Sequence, residues 1–325
     1  MLINKIKYSL LIALVSATLF NAQDLSGVSG SFVDLGFGTK AAGMGKAFVA
    51  QADGANSVFW NPSGLISSSK IKIDFNYLNQ LQLIPFSSLA ASIPIGKLDA
   101  VGLGFVYSGD AALKEFSLTI GYAHKFGGLS IGANLKYRYA SFGNNNINSG
   151  DYIVFDSDEI TTGGQNKIYG TGNGFGLDIG LKYRISKVLN IGLALKDIYA
   201  PFSWNSQNDN PLKPARGSYT EAMPFKSVVG ISLKPSEELV INADYQPSLL
   251  NDEFNIIRFG AEYTVLELVS FRAGSEQVIN SLKDEKYSFG LGFAYKIASV
   301  KIIANYAYVL EQLANTSRFS IGFNF

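Results

Sequence analysis

Leu129-Ser130-Ile131-Gly132-Ala133-Asn134-Leu135-Lys136-Tyr137-Arg138-Tyr139 reads as two interleaved series. One holds Leu, Ile, Ala, Leu, Tyr and Tyr, the other Ser, Gly, Asn, Lys and Arg. A period of two belongs to an extended strand with one apolar and one polar face. The same split recurs in Phe175 to Ile185 and in Arg318 to Phe325.

From Ile71 to the last residue such segments follow one another at about 71–78, 86–95, 98–108, 116–125, 129–141, 174–185, 188–198, 224–234, 238–246, 254–264, 266–274, 286–297, 299–309 and 316–325. Fourteen is an even number, as a single-chain bacterial barrel of antiparallel strands needs in order to close. The connections support this count. Gly96-Lys97, Gly127-Gly128, Ser186-Lys187, Pro235-Ser236-Glu237, Val265 and Ala298 form a short set, expected at the periplasmic end. The interleaved set includes the long polar stretches 142–173 and 199–223, expected outside.

Composition leads to the same class. The chain is 47% hydrophobic and only 16% charged, where soluble proteins carry about a quarter charged residues. It nevertheless has no apolar run of the roughly 20 residues that a membrane helix requires. Alternation lets apolar side chains face lipid and polar ones face the lumen, while the closed ladder pairs every backbone group. Tyr77, Tyr107, Tyr139, Tyr245 and Tyr308 then fall near the outer rim and Tyr122, Tyr183, Tyr263 and Tyr295 near the inner one, where interfacial tyrosines belong. The expected fold is all-β, a 14-stranded antiparallel transmembrane β-barrel over residues 70–325. A small N-terminal hatch or plug segment occupies 24–69, and 1–23 read as a signal peptide: cationic Lys5 and Lys7, then an apolar run from Leu10 to Phe20. The expected location is the outer membrane, with its lipid as one partner.

The residues speak against most chemistry. There is no cysteine, and His124 is the single histidine, on the lipid face at the inner end of the fourth strand. The usual nucleophile and acid/base pairs are therefore missing, and no catalytic residue, metal or cofactor is expected. The carboxylates of Asp151, Asp156, Asp158 and Glu159 could offer oxygen ligands but read better as an acidic surface loop. A net charge of +1 gives no footprint for nucleic acid. The glycines around Lys46 fit neither phosphate loop, because Lys40 and Ala47 break one pattern and Phe48 the other.

Two sets of residues remain as candidate contacts. Leu81, Leu83 and Phe86 in the first outer loop, with Phe202 and Trp204 in the fourth, carry more apolar surface than solvated loops need. They offer a ligand or partner site at the mouth, or pack on one another. Among lumen-facing cations, Lys136, Arg138 and Arg258 could hold carboxylates or anchor a plug, or take part in a salt-bridged interior.

Ala41-Ala42-Gly43-Met44-Gly45-Lys46-Ala47-Phe48-Val49-Ala50, with Asn56-Ser57-Val58-Phe59-Trp60-Asn61-Pro62-Ser63-Gly64-Leu65, resembles the N-terminal motif of FadL-like outer-membrane proteins, most closely the PorV/PorQ branch. Ser63 stands where that motif more usually has alanine. The resemblance implies a barrel with a hatch in which Gly43, Gly45, Phe59, Trp60, Asn61 and Pro62 take part. It also implies one of two functions. PorV-type relatives serve type IX secretion, with secretion-system proteins or secreted cargo as partners. FadL-type channels admit hydrophobic small molecules such as long-chain fatty acids. A structural subunit of an outer-membrane complex is the third alternative.

Overall fold

The computed structural model describes residues 36–80, 84–109, 113–143, 153–156, 159–162, 168–208, 214–249, 254–279, 285–312 and 314–325. The expected signal peptide lies outside these residues, as do Leu81, Leu83 and the side chains of the acidic loop around Asp156. The strands are β1 (Lys72–Gln80), β2 (Ile84–Pro94), β3 (Asp99–Gly109), β4 (Leu113–Phe126), β5 (Leu129–Phe142), β6 (Ile153–Asp156), β7 (Glu159–Thr162), β8 (Ile168–Arg184) and β9 (Leu189–Tyr199). They continue as β10 (Pro201–Asn208), β11 (Arg216–Ala222), β12 (Lys226–Leu233), β13 (Leu239–Gln246), β14 (Ile256–Val265), β15 (Val269–Val278), β16 (Lys286–Ile297), β17 (Val300–Leu310) and β18 (Thr316–Asn324).

The wall is a closed barrel of 14 antiparallel strands. Sequential neighbours pair throughout, and β18 returns to β1 with Lys72 opposite Asn324 and Leu78 opposite Arg318. Closure removes the free edges that an open sheet of this length would present. The hairpin β6–β7 forms a separate two-stranded sheet. Side chains alternate as expected. In β3, Leu103, Phe105 and Tyr107 are exposed toward lipid, and Ala100, Gly102, Gly104, Val106 and Ser108 are buried toward the lumen.

One inner turn differs from its expected position. A single residue at Val265 cannot reverse a strand; the reversal uses Leu266 and Glu267, both left-handed at φ 52° and 56°. Two left-handed residues are what a tight hairpin needs, and neither is glycine.

Two wall strands are interrupted at the outer level. β8 pairs with β9 over its C-terminal half and with β10 over its N-terminal half. Between them Ile179 faces Leu195 but Leu177 faces Tyr199, so three residues of β9 lie opposite Asp178 alone. This is a β-bulge, and Asp197 within it is left-handed at φ 56°. The partner strand breaks at the same level, between β11 and β12.

Candidate functional site: a plug clamped in the bore

Residues 36–71 fill the bore as a plug. It holds α1 (Thr39–Gly43), α2 (Ser57–Trp60) and a 3-10 helix over Pro62–Ser67. Helices this short are not stable alone, so the wall must hold them. Inside the plug, the Phe48 and Trp60 rings meet edge-on at 6.1 Å, and Phe37 meets Phe59 at 5.5 Å. The Trp60 indole N–H donates to the Phe37 carbonyl at 2.6 Å. The stretch that invited comparison with a phosphate loop is therefore plug core, and Lys46 Nζ is paired with Glu276 at 3.4 Å.

The wall receives the plug in a belt of glycines. On neighbouring strands Gly102 faces Gly121, Gly132 faces Gly180, Gly192 faces Gly230 and Gly260 faces Gly274, all on the lumen side. A Cβ on Gly192 would come within 2.7 Å of the Ala50 Cα, and one on Gly104 within 2.7 Å of the Phe59 ring. Side chains on Gly132, Gly180, Gly260 and Gly274 would overlap Pro62, Asn61, Met44 and Gly45. Gly45 itself is left-handed at φ 62° and lies against Ser275, so it needs both freedoms of glycine.

Polar side chains of the wall satisfy the plug backbone around the circumference. The Asp244 carboxylate accepts from the N–H groups of Phe48 and Val49 at 2.7 and 2.9 Å. Asn242, Asn134, Lys182, Lys196 and Arg318 donate to the carbonyls of Ala47, Val58, Ala52, Phe59 and Gly36 at 2.7–2.9 Å. Asn61, completely buried, donates to Val49 and Leu181 carbonyls at 3.0 and 3.1 Å, tying plug to wall. Its Oδ1 accepts from the Ser63 N–H and hydroxyl, so serine in place of the more usual alanine adds a bond to the cap of the 3-10 helix. Pro62 follows at the first helical position, where its missing N–H costs nothing.

The lumen cations are largely neutralised. Arg272 holds Glu262 and Arg258 holds Glu276, each at 2.6 Å. Lys136 lies between Asp178 and Asp197 at 2.6 and 2.8 Å, and Arg138 reaches Asp197 at 2.7 Å. In the plug, burial alone would lower Lys40, but Asp53 and Glu262 outweigh it and hold its pKa above the ordinary lysine value. Burial pushes Lys46 down to about 8 against the opposing pull of Glu276. Burial would raise Asp53, yet Lys40, Lys72 and Lys182 hold it below the usual carboxylate range.

Strict alternation places Asp197 on the lipid face and so missed it; only the bulge turns it inward, and nothing in the sequence marks the bulge. Asp197→Ala should lower the midpoint of heat-induced barrel unfolding, read by gel mobility. Arg138 loses its carboxylate while Lys136 keeps Asp178, so a cost of about 2–3 kcal/mol is expected.

The plug separates two vestibules. The outer one, about 280 Å³, is floored by Phe37, Phe59 and Trp60, with Lys136, Arg138, Asp197 and Arg258 in its walls. The periplasmic one, about 940 Å³, opens beside Lys40, Asp53 and the Leu266 turn. Phe202 is buried and Trp204 half-buried at the outer mouth, joined to Phe142 through ring contacts. Phe86 is buried on the lumen side against Phe37, Leu78 and Val106, so it meets the plug rather than the surroundings of the mouth. His124 lies at the inner rim, 2.7 Å from Asp99. Among the described residues no group of three or more His, Asp or Glu side chains is arranged to hold a metal.

The sequence profile of the type IX secretion system membrane protein PorP/SprF family matches residues 54–325. Three solved barrels share the fold. The CymD monoaromatic hydrocarbon channel is 17% identical with a TM-score of 0.59, covering 89% of this chain and 97% of its own. The Ralstonia pickettii toluene transporter TbuX is 16% identical with a TM-score of 0.59 over 89% and 97%. A Pseudomonas aeruginosa FadL homologue is 13% identical with a TM-score of 0.58 over 88% and 97%. At these identities the likeness is one of fold. No curated protein sequence matches the chain.

Proposed function

Because the chain belongs to the PorP/SprF family of type IX secretion membrane proteins, we propose that it is an accessory barrel of that system. In this role it binds secretion-system proteins or secreted cargo at its outer mouth while its plug keeps the bore shut. The observation that carries this reading is the attachment of the plug: the glycine belt and the backbone hydrogen bonds grip it from strands on every side. A hatch that must swing aside for each passing molecule would have to break these contacts together. No catalytic role is assigned.

The test is native mass spectrometry of the protein gently extracted from its own outer membrane. A co-purifying polypeptide of the secretion system or its cargo is expected. Repeated recovery of the barrel without any polypeptide would defeat the proposal.

One observation favours a second reading, a channel for hydrophobic small molecules. The outer vestibule joins an aromatic floor to walls in which seven lysines and arginines outnumber four carboxylates, so that after internal pairing a positive excess remains for an apolar molecule with an anionic end. Under this reading the same experiment recovers a bound apolar small molecule and no polypeptide.

A further inference from the structure

Beyond the wall breaks, β10 and β11 extend the barrel outward as a hairpin joined to β8. Among the described residues β11 pairs with β10 alone. Among the described residues the wall falls away on its other flank, because β13 stops at Gln246 and pairs with β12 only from Val229 to Leu233. An antiparallel strand directs alternate N–H and C=O groups to each side, so β11 presents a row of them to this gap. All of its residues except Glu221 are exposed, and its seven residues span about 23 Å.

The composition of the hairpin fixes its level. On the face that would otherwise meet lipid, Ser203, Asn205 and Gln207 lie opposite Thr220, Ser218 and Arg216. Six polar side chains in that register stand in water above the hydrocarbon, whereas β3 at membrane level shows Leu103 and Phe105 on the same side. The opposite face is aromatic. Trp204 packs on Phe202 and Phe142 and donates to Glu221 at 2.8 Å, and beside it Tyr219 is 59% exposed. Natural sheets blunt such an edge with lysine, proline, a bulge or a cover. Within Arg216–Ala222 the sequence has neither lysine nor proline, and one arginine stands at the first position.

We infer that β11 is a template for strand addition, filled by an extended segment of an exported polypeptide. That segment alternates apolar residues, set against Tyr219 and the Trp204 shelf, with polar ones flush with Ser218 and Thr220. Main-chain bonds supply affinity and the aromatic face supplies register. A second barrel lying alongside in the membrane is a poor occupant. The free edge points along the circumference into the gap above β13, and a neighbour would meet the polar face instead. This inference rests on the partner-binding reading and specifies where and how the partner is held.

The experiment uses the full chain in its native outer membrane, with p-benzoylphenylalanine replacing Tyr219 and, separately, Ile84 or Leu113 across the mouth. After illumination, the Tyr219 probe is expected to capture a secreted polypeptide through one stretch of alternating apolar and polar residues. In the purified complex, the fast-exchanging amides of Arg216–Ala222 should slow by at least about tenfold relative to the free barrel. Capture of a second copy, or of this chain's own residues 247–253, overturns the inference. Capture at Ile84 or Leu113 but not at Tyr219 also overturns it and leaves the accessory role standing. Failure at all three positions, with no co-purifying polypeptide, removes both.

Discussion

Replacing Gly132 and Gly180 together by valine is expected to turn a closed barrel into a conducting one. The two glycines face each other across β5 and β8, and their missing side chains leave the space that Pro62 and Asn61 occupy. Overpacking costs about 1–3 kcal/mol per site, so the pair should disfavour the seated plug by about 2–6 kcal/mol. The wall cannot retreat, because its strands are bonded on both sides around a closed ring. The plug, held by side-chain bonds and short helices, is the part that yields. Planar-bilayer recordings should show steady current steps for the variant and none for the parent protein. A silent variant with an unchanged protease pattern would show that the belt is not what seats the plug.

Asn61→Asp should loosen the plug without altering its shape. The substitution is isosteric, but it removes the two donated hydrogen bonds and sets a carboxyl oxygen against the carbonyls of Val49 and Leu181. The buried Val49 carbonyl left without a donor costs about 1–3 kcal/mol, whereas the Leu181 carbonyl keeps its ladder partner in β9. Amide exchange across Ala47–Leu65 should accelerate strongly while the strands stay protected. Equal exchange in the two proteins would mean that the asparagine is a passive filler. Asn61→Ala, which leaves room for water to reach the carbonyls, should fall between them.

Much of the barrel was legible because alternation is a local signal. Leu129 to Tyr139 separates into its two faces by position alone, and the structure keeps that separation. The gaps arose where local rules break down. The Val265 turn was placed one step early because left-handed Leu266 carries none of the glycine or asparagine that marks such a turn. Asp197 was missed because a bulge shifts parity without any change of composition. Phe86 was expected in an outer loop, yet β2 begins at Ile84 and the period of two carries Phe86 inward to Phe37. The plug motif is visible in the sequence, and Asn61 and Pro62 lie within it, but the surface that receives it has no contiguous signature. Gly102, Gly121, Gly132, Gly180, Gly192, Gly230, Gly260 and Gly274 are scattered over 173 positions of chain. Only their shared parity and common level in the wall make them a belt, and level depends on strand stagger, which alternation does not supply.

The two ends of the plug grip opposite ends of the barrel's chain order. Its 3-10 helix packs on β2, β3, β4, β5 and β8, while α1 packs on β15, β16, β17 and β18. Arg318 in the last strand bonds to Gly36, the first described residue. The leading residues are held from both sides of the seam: the Thr39 N–H donates to Asn76 in β1 at 3.0 Å and Phe37 packs on Leu78 and Phe86, while Arg318 in β18 reaches the Gly36 carbonyl. The plug therefore acts as a clasp across the β1–β18 seam. Seating the plug and closing the ring then draw on the same contacts, so each stabilises the other.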